Sequence, residues 1–319
     1  MNITAILHRP TTDPAGSEQM LQAILTHLDQ RGHTVAVVIP HPDETDGDPP
    51  LSSIPHIYST DIVDAAKGAD VLLTHHDVTS VAMIAARKLD LPIVSVLHND
   101  MRMTKIVVRR ARTLTGLIFN SQWLGEECAR IRPELPRQVV YPPVSPVHYA
   151  VHRQDSLVTQ INLFKNGKLL WEVARLLPET RFLAVQGGYG DQGIPKVVPS
   201  NVEVIAPTDD PAGEIYARTR ILLVPSKYES WGRVGVEAAS SNIPVIASPT
   251  PGLQESLSYA GLFRDPERPT HWAEAITALS DPGVYAAYAA MAGLRAQEVW
   301  VETQDQLEEL ERFLVQQQL

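Results

Sequence analysis

The chain has 319 residues, 44% of them hydrophobic, which at roughly 150 residues per domain predicts two domains with ordinary cores. Lys and Arg total 27 against 37 Asp and Glu, a formal net charge of −10 that argues against a protein coated in basic charge for non-specific binding to nucleic acid or acidic lipid. Cys128 is the single cysteine, which excludes disulfide-rich scaffolds and multi-cysteine metal centres.

Met1–Leu7 has no basic leader, and no stretch approaches the ~18 uninterrupted apolar residues of a membrane span, so the expectation is a cytoplasmic protein with no transmembrane segment. Ile3–Leu7 reads as a strand, followed by a loop over His8–Gly16. Ser17–Gln30 reads as an amphipathic helix with Met20, Leu21, Ile24, Leu25 and Leu28 on one face, stopped by Gly32. Thr34–Ile39 is a continuous β-branched run of the kind buried on both faces of a parallel sheet. Val71–Thr74, Ile93–Leu97 and Leu117–Asn120 repeat the theme, separated by helical stretches at about 77–89, 100–112 and 121–131. The proline-rich Tyr141–Pro146 is the best linker. Beyond it, strands fit Leu157–Ile161, Phe182–Gln186, Val202–Ile205, Ile221–Val224 and Pro244–Ala247. Helices fit Lys168–Leu177, Gly213–Thr219, Val234–Ser240, Thr270–Leu279 and much of Val284–Gln317. The alternation predicts an α/β protein with two parallel-sheet halves, residues 1–145 and 146–299, with a last helix at about 300–319 packing back on the first. Ligands of such sheets sit at the strand C-termini, so a cleft between the halves is the expected site.

The segment Pro225–Ala238 carries the strongest chemical signal. It follows a buried strand and opens a helix, with Glu229 in the loop and Glu237 about one turn inside the helix. Gly232 permits close backbone approach at the helix N-terminus, where free N–H groups and the dipole favour an anion. Carboxylates accept hydrogen bonds from hydroxyls, so the series suits a phosphorylated sugar. On spacing alone, solvated helix-end glutamates explain it as well.

Glu229, Trp231, Gly232 and Glu237, with Asn242–Ala247 and Gly252–Glu255 behind them, resemble the retaining glycosyltransferases of family 4, which have the GT-B fold of two Rossmann-like domains facing a central cleft. Ala15–Glu18, Arg31–Val35, Asn120-Ser121 and Tyr141–Val144 extend the resemblance to the first half. It implies a retaining, metal-independent transfer of a hexosyl or pentosyl group from a UDP- or GDP-type nucleotide sugar to an acceptor hydroxyl, with no cofactor. Glu229 would bind sugar hydroxyls and Glu237 the ribose. The backbone at Trp231, Gly232, Arg233 and Val234 would approach the sugar and diphosphate. Gly16 would lie under the diphosphate, and His98 would hold the sugar near the reacting carbon. Gly188, in a glycine turn after a strand, would lie along the nucleotide, and the loop at Ile205–Thr208 would meet the base.

One departure stands out. The family's usual Arg, four residues, then Lys reads here as Gln160 to Lys165, so one phosphate charge lacks its usual partner. Lys168 or Arg233 could supply it, and the expected clamp is Lys165 with Arg233. Met101–Thr113 holds Arg102, Lys105, Arg109, Arg110 and Arg112 in an otherwise acidic chain. It is either a solvated helix face or a dock for an acidic acceptor. Small-molecule, lipid-linked and polysaccharide acceptors and modified DNA all stay open. Competing readings are another GT-B activity, such as a nucleotide-sugar epimerase or a phosphorylase, and a non-catalytic nucleotide-sugar binder.

Overall fold

The structure is a computed structural model describing residues 1–8, 16–40, 54–98, 102–147, 155–188 and 190–317. The chain divides into two compact units, Met1–Pro143 with the chain from Glu302 onward, and Val144–Val301.

The first unit runs β1 (Asn2–Ile6), α1 (Gly16–Gln30), β2 (Thr34–Ile39), β3 (His56–Tyr58), α2 (Ile62–Ala65), β4 (Val71–His75), α3 (Thr79–Leu89), β5 (Ile93–Leu97), α4 (Arg102–Arg110), β6 (Gly116–Phe119), α5 (Gln122–Ala129) and β7 (Arg137–Val139). Its seven strands lie in the order β3-β2-β1-β4-β5-β6-β7, and every pairing is parallel. β4 and β5 are buried along their whole length, as both faces of the sheet are covered.

The second unit runs β8 (Leu157–Ile161), α6 (Gly167–Leu176), β9 (Phe182–Val185), β10 (Val202–Ile205), α7 (Pro211–Glu214), β11 (Thr219–Val224), α8 (Arg233–Ser240), β12 (Val245–Ala247), α9 (Pro251–Leu257), β13 (Gly261–Phe263), α10 (Pro269–Ala278) and the 35-residue α11 (Pro282–Gln316). Its six strands are again all parallel, in the order β10-β9-β8-β11-β12-β13. In each sheet the chain works outward on one side and then returns to the other. The strand order therefore turns between β1 and β4, and between β8 and β11. Those are the switch points where such sheets leave a crevice at the strand C-termini.

α11 serves both units. Ala292 and Ala296 pack on Ala239 of α8 in the second. Leu307, Leu310, Phe313 and Leu314 enter the core of the first, beside Leu21, Ile24 and Leu28 of α1. Phe313 lies so close to Gly116 that a Cβ there would stand 2.6 Å from the ring. Glu311 accepts from Arg31 Nε (2.9 Å) and pairs with His33 Nε2 (3.1 Å), and Gln306 Oε1 accepts from the Tyr141 amide (2.7 Å).

The structure departs from the sequence reading at short elements. The three-residue strands β3, β7 and β13 are too brief to show a period. The helix expected over Gly213–Thr219 starts earlier and breaks, because Asp210 caps it through the Gly213 amide (2.9 Å) with Pro211 in the first turn. The chain then passes through a 3-10 turn at Tyr216–Arg218 straight into β11. Thr250 and Pro251 open α9 by the same device.

Leu310 is fully buried in the first unit's core. Leu310→Ala is expected to cost about 2–5 kcal/mol, measured as a lowered denaturant midpoint; a cost under about 0.5 kcal/mol, the range of surface substitutions, would show that the last helix does not support this core.

Candidate functional site

In the second unit, chemistry gathers at the switch point between β8 and β11. Asn162 leaves β8 with φ of 62° and Asn166 follows with φ of 89°, left-handed conformations that asparagine tolerates. Between them a 3-10 turn carries Lys165. From the other side comes the loop after β11, ending at Gly232 (φ 85°), the residue before α8. A Cβ on Gly232 would stand 2.3 Å from Leu253, so only glycine fits both the space and the angle.

The two loops are tied by charge and by backbone. Lys165 Nζ donates to Glu229 Oε2 at 2.5 Å, and Asn166 Nδ2 donates to the Pro225 carbonyl at 3.2 Å. The Glu229 side chain is 12% exposed and that of Lys165 37%, so the carboxylate is largely buried and the ammonium reaches solvent. Gly252 in α9 presses on the same loop, where a Cβ would fall 2.2 Å from the Ser230 carbonyl carbon. Trp231 is buried at 1% exposure and anchors the turn. One turn into α8, Glu237 is held twice: Arg233 Nε donates to Oε1 at 2.6 Å and the Tyr216 hydroxyl to Oε2 at 2.5 Å. The same hydroxyl lies 3.4 Å from the Val234 carbonyl. A cation, a helix N-terminus and two fixed carboxylates thus line one strand end, a set suited to a phosphate with a hydroxyl-bearing group beside it.

Other expected residues fall differently. Gln160 lies within β8, fully buried, and neither of its amide atoms has a hydrogen-bond partner among the described residues. Lys168 is 83% exposed and pairs with Glu172 one turn along α6 (3.5 Å). Gly188 is exposed with open space around it, and the steric demand falls instead on Gly187, whose Cβ would meet Asn162 Oδ1 at 2.3 Å. Beside the Ile205 loop, a depression of about 430 Å³ is lined by Ile205, Ala206, Pro207, Gly213, Glu214 and Arg218.

In the first unit, Gly16 opens α1, and no described residue lies within 4 Å of a Cβ position there. His98 follows β5 and is 8% exposed. Asn120 Nδ2 donates to its carbonyl (2.8 Å), and Ser121 caps α5 through the Leu124 amide (3.2 Å). The neighbours of His98 had no sequence signal of their own: His75 ends β4 and His76 follows it with φ of 48°. Burial, then the facing His76 and His8, push the His75 imidazole down to about 3. Burial, then His75 and His76, also hold His98 well below the ordinary histidine range. Both rings are therefore neutral at pH 7. Of the basic stretch, Lys105 is half-buried on α4 while Arg109, Arg110 and Arg112 are exposed. The Arg102 side chain and the first residue of the stretch, Met101, lie outside the described set.

Both units are similar to known proteins. Residues 14–147 match the family "Glycosyltransferase Family 4", and residues 164–281 match "Glycosyl transferases group 1". A D-inositol 3-phosphate glycosyltransferase of Rhodococcus jostii is 38% identical over 104 residues, 31% of this chain and 23% of that protein. The protein of that name from Mycobacteroides abscessus is 30% identical over 134 residues, 38% of this chain and 30% of its own. The matched stretch is thus under a third of either relative's length. Among solved structures, sucrose-phosphate synthase from Thermosynechococcus elongatus superposes with a TM-score of 0.78 at 16% identity, covering 99% of both chains. Anabaena HepE in complex with UDP and glucose superposes with a TM-score of 0.80 at 18% identity, over 98% of this chain and 100% of that one. Two parallel-sheet Rossmann-like units, matched by a family description in each, show that this chain belongs to the family 4-type glycosyltransferases of GT-B fold.

Proposed function

We propose that the protein transfers a sugar from a nucleoside-diphosphate sugar to an acceptor hydroxyl, with retention at the anomeric carbon. The observation that carries the reading is the pairing of Lys165 with Glu229 and Arg233 with Glu237 around the N-terminus of α8. The diphosphate takes Lys165 and the α8 N–H groups as partners, with Arg233 beside it. Glu229 then accepts from sugar hydroxyls and Glu237 from the ribose. Each carboxylate oxygen has lone pairs beyond its present bond, so Glu237 keeps its hold on Tyr216 while binding. The base lies along the Ile205 depression, and the UDP held by HepE favours a uridine donor.

Bond making and breaking balance without a cofactor. The glycosidic C–O bond to the diphosphate breaks, the acceptor oxygen bonds to the same face of the anomeric carbon, and the departing phosphate takes the hydroxyl proton. The developing negative charge is met by fixed cations and backbone dipoles, the form of catalysis that needs least reorganisation. His98, held neutral by burial, would serve a sugar hydroxyl as a hydrogen-bond partner rather than as a charge. The exposed Arg109 and Arg110 suit an acceptor that itself carries phosphate, in keeping with the inositol phosphate named for the curated relatives.

Incubation with a panel of nucleotide sugars, with and without phosphorylated polyols, tests this through nucleotide release and the anomer formed. Retained configuration is expected, at a rate that does not depend on added Mg²⁺ or Mn²⁺. Inversion would overturn the mechanism. Tight binding of every donor with no turnover would leave a non-catalytic binder. For the clamp, Lys165→Ala and Arg233→Ala are each expected to weaken donor binding about tenfold or more, the value of one charge-assisted hydrogen bond, read by calorimetry. Unchanged affinity in Arg233→Ala would remove that residue from the clamp. Glu229→Gln keeps the size of the side chain but loses the charge opposite Lys165, and is expected to lower kcat/KM by roughly a hundredfold.

A further inference from the structure

The strongest unassigned chemistry lies in the first unit, where three histidines from two strand ends face one another. We propose that His75, His76 and His98 form a transition-metal site of the zinc type, with three imidazole ligands and a fourth position for water. The ring centres stand 4.8 Å (His75 to His76), 5.1 Å (His76 to His98) and 5.8 Å (His75 to His98) apart. One candidate ligand nitrogen from each lies within 4.8 Å of the other two. Tetrahedral zinc holds imidazole nitrogens at about 2.0–2.1 Å, which sets ring centres about 5 Å apart and nitrogens about 3.3 Å apart. The rings are thus already at the spacing of a bound site, and small ring rotations bring the nitrogens together.

Two further features point the same way. His76 holds a left-handed backbone (φ 48°), uncommon for a side chain with a Cβ. It stands directly after His75, with the two rings together. His75 is 1% exposed and its Nδ1 has no hydrogen-bond partner among the described residues. A metal at Nδ1 supplies one. It places the ring proton on Nε2 and gives up the 3.4 Å contact from the His8 amide, which is long for a hydrogen bond.

The donor set selects the metal. Three imidazoles suit zinc and its neighbours, whereas Mg²⁺ and Ca²⁺ require oxygen ligands. Asn120 holds the His98 carbonyl, so the third ligand is fixed from behind. Ligation through one ring nitrogen leaves the other for a hydroxyl, so the site is compatible with the role given to His98 above. It does not depend on that role, because the diphosphate clamp residues belong to the second unit.

The full chain, stripped with a chelator, dialysed against zinc and desalted, is expected to retain about one zinc per chain by elemental mass spectrometry. Loaded with cobalt, it should show the intense visible absorption of a tetrahedral ion. His75→Ala and His76→Gln should each lower retention at least about tenfold, while His271→Gln, outside the cluster, should not. Zinc should raise the thermal midpoint of the wild-type chain, a readout that stands even where a variant fails to fold. Retention below about 0.1 equivalent in the wild type, or equal retention in wild type and folded His76→Gln, would overturn the site whatever the transferase assays show.

Discussion

Neighbouring strands that run the same way cannot be joined by a hairpin, so each strand of this chain hands over to a helix or loop that returns along a face of the sheet. All eleven pairings in the two sheets are of this kind. The strand C-termini therefore become a row of loop starts, and the crevice of such a sheet falls where the strand order turns. Lys165 and Glu229 occupy that position in one sheet; His8 and His75 occupy it in the other. The placement of chemistry follows from connectivity before any side chain is considered.

Charge then explains why these loops hold their shape. Lys165 and Arg233 each rest against a carboxylate that the donor reading also requires. Under the proposed donor binding, a diphosphate that draws Lys165 away would release Glu229 for a sugar hydroxyl, so that phosphate binding and sugar binding would favour each other. Gln160 fits the same logic. Its position is fully buried, where an arginine with no anion beside it would be costly. A neutral amide with unmatched hydrogen-bonding groups keeps polarity there without an uncompensated charge.

The larger elements were legible because their signals are local. The β-branched runs at Thr34–Ile39 and Ile93–Leu97 and the apolar stripe of α1 need no distant partner to be recognised. The Glu229–Glu237 segment was legible because both carboxylates and Gly232 lie within one loop and one helical turn. What escaped depends on residues brought together from afar. Tyr216 grips Glu237 across 21 positions, and it is Gly187, not Gly188, that Asn162 crowds. Lys168 carried the right charge, but its place on α6 turns it to Glu172 and solvent. The sequence offers it beside Arg233 as a second phosphate partner for Lys165, and charge alone does not separate the two.

The histidines escaped for the same reason, and their geometry is harder to attribute to folding alone. His75 and His76 stand one after the other, and alternation along a strand would send their side chains to opposite faces. The left-handed turn at His76 breaks the alternation and keeps both rings with His98. Burying the neutral imidazoles of His75 and His98 beside His76 costs desolvation, and the backbone angle at His76 adds strain. Packing alone would be served as well by an apolar residue at position 76, which would need neither. A bound ion offsets both costs at once, which is why the cluster is read as a site rather than as core.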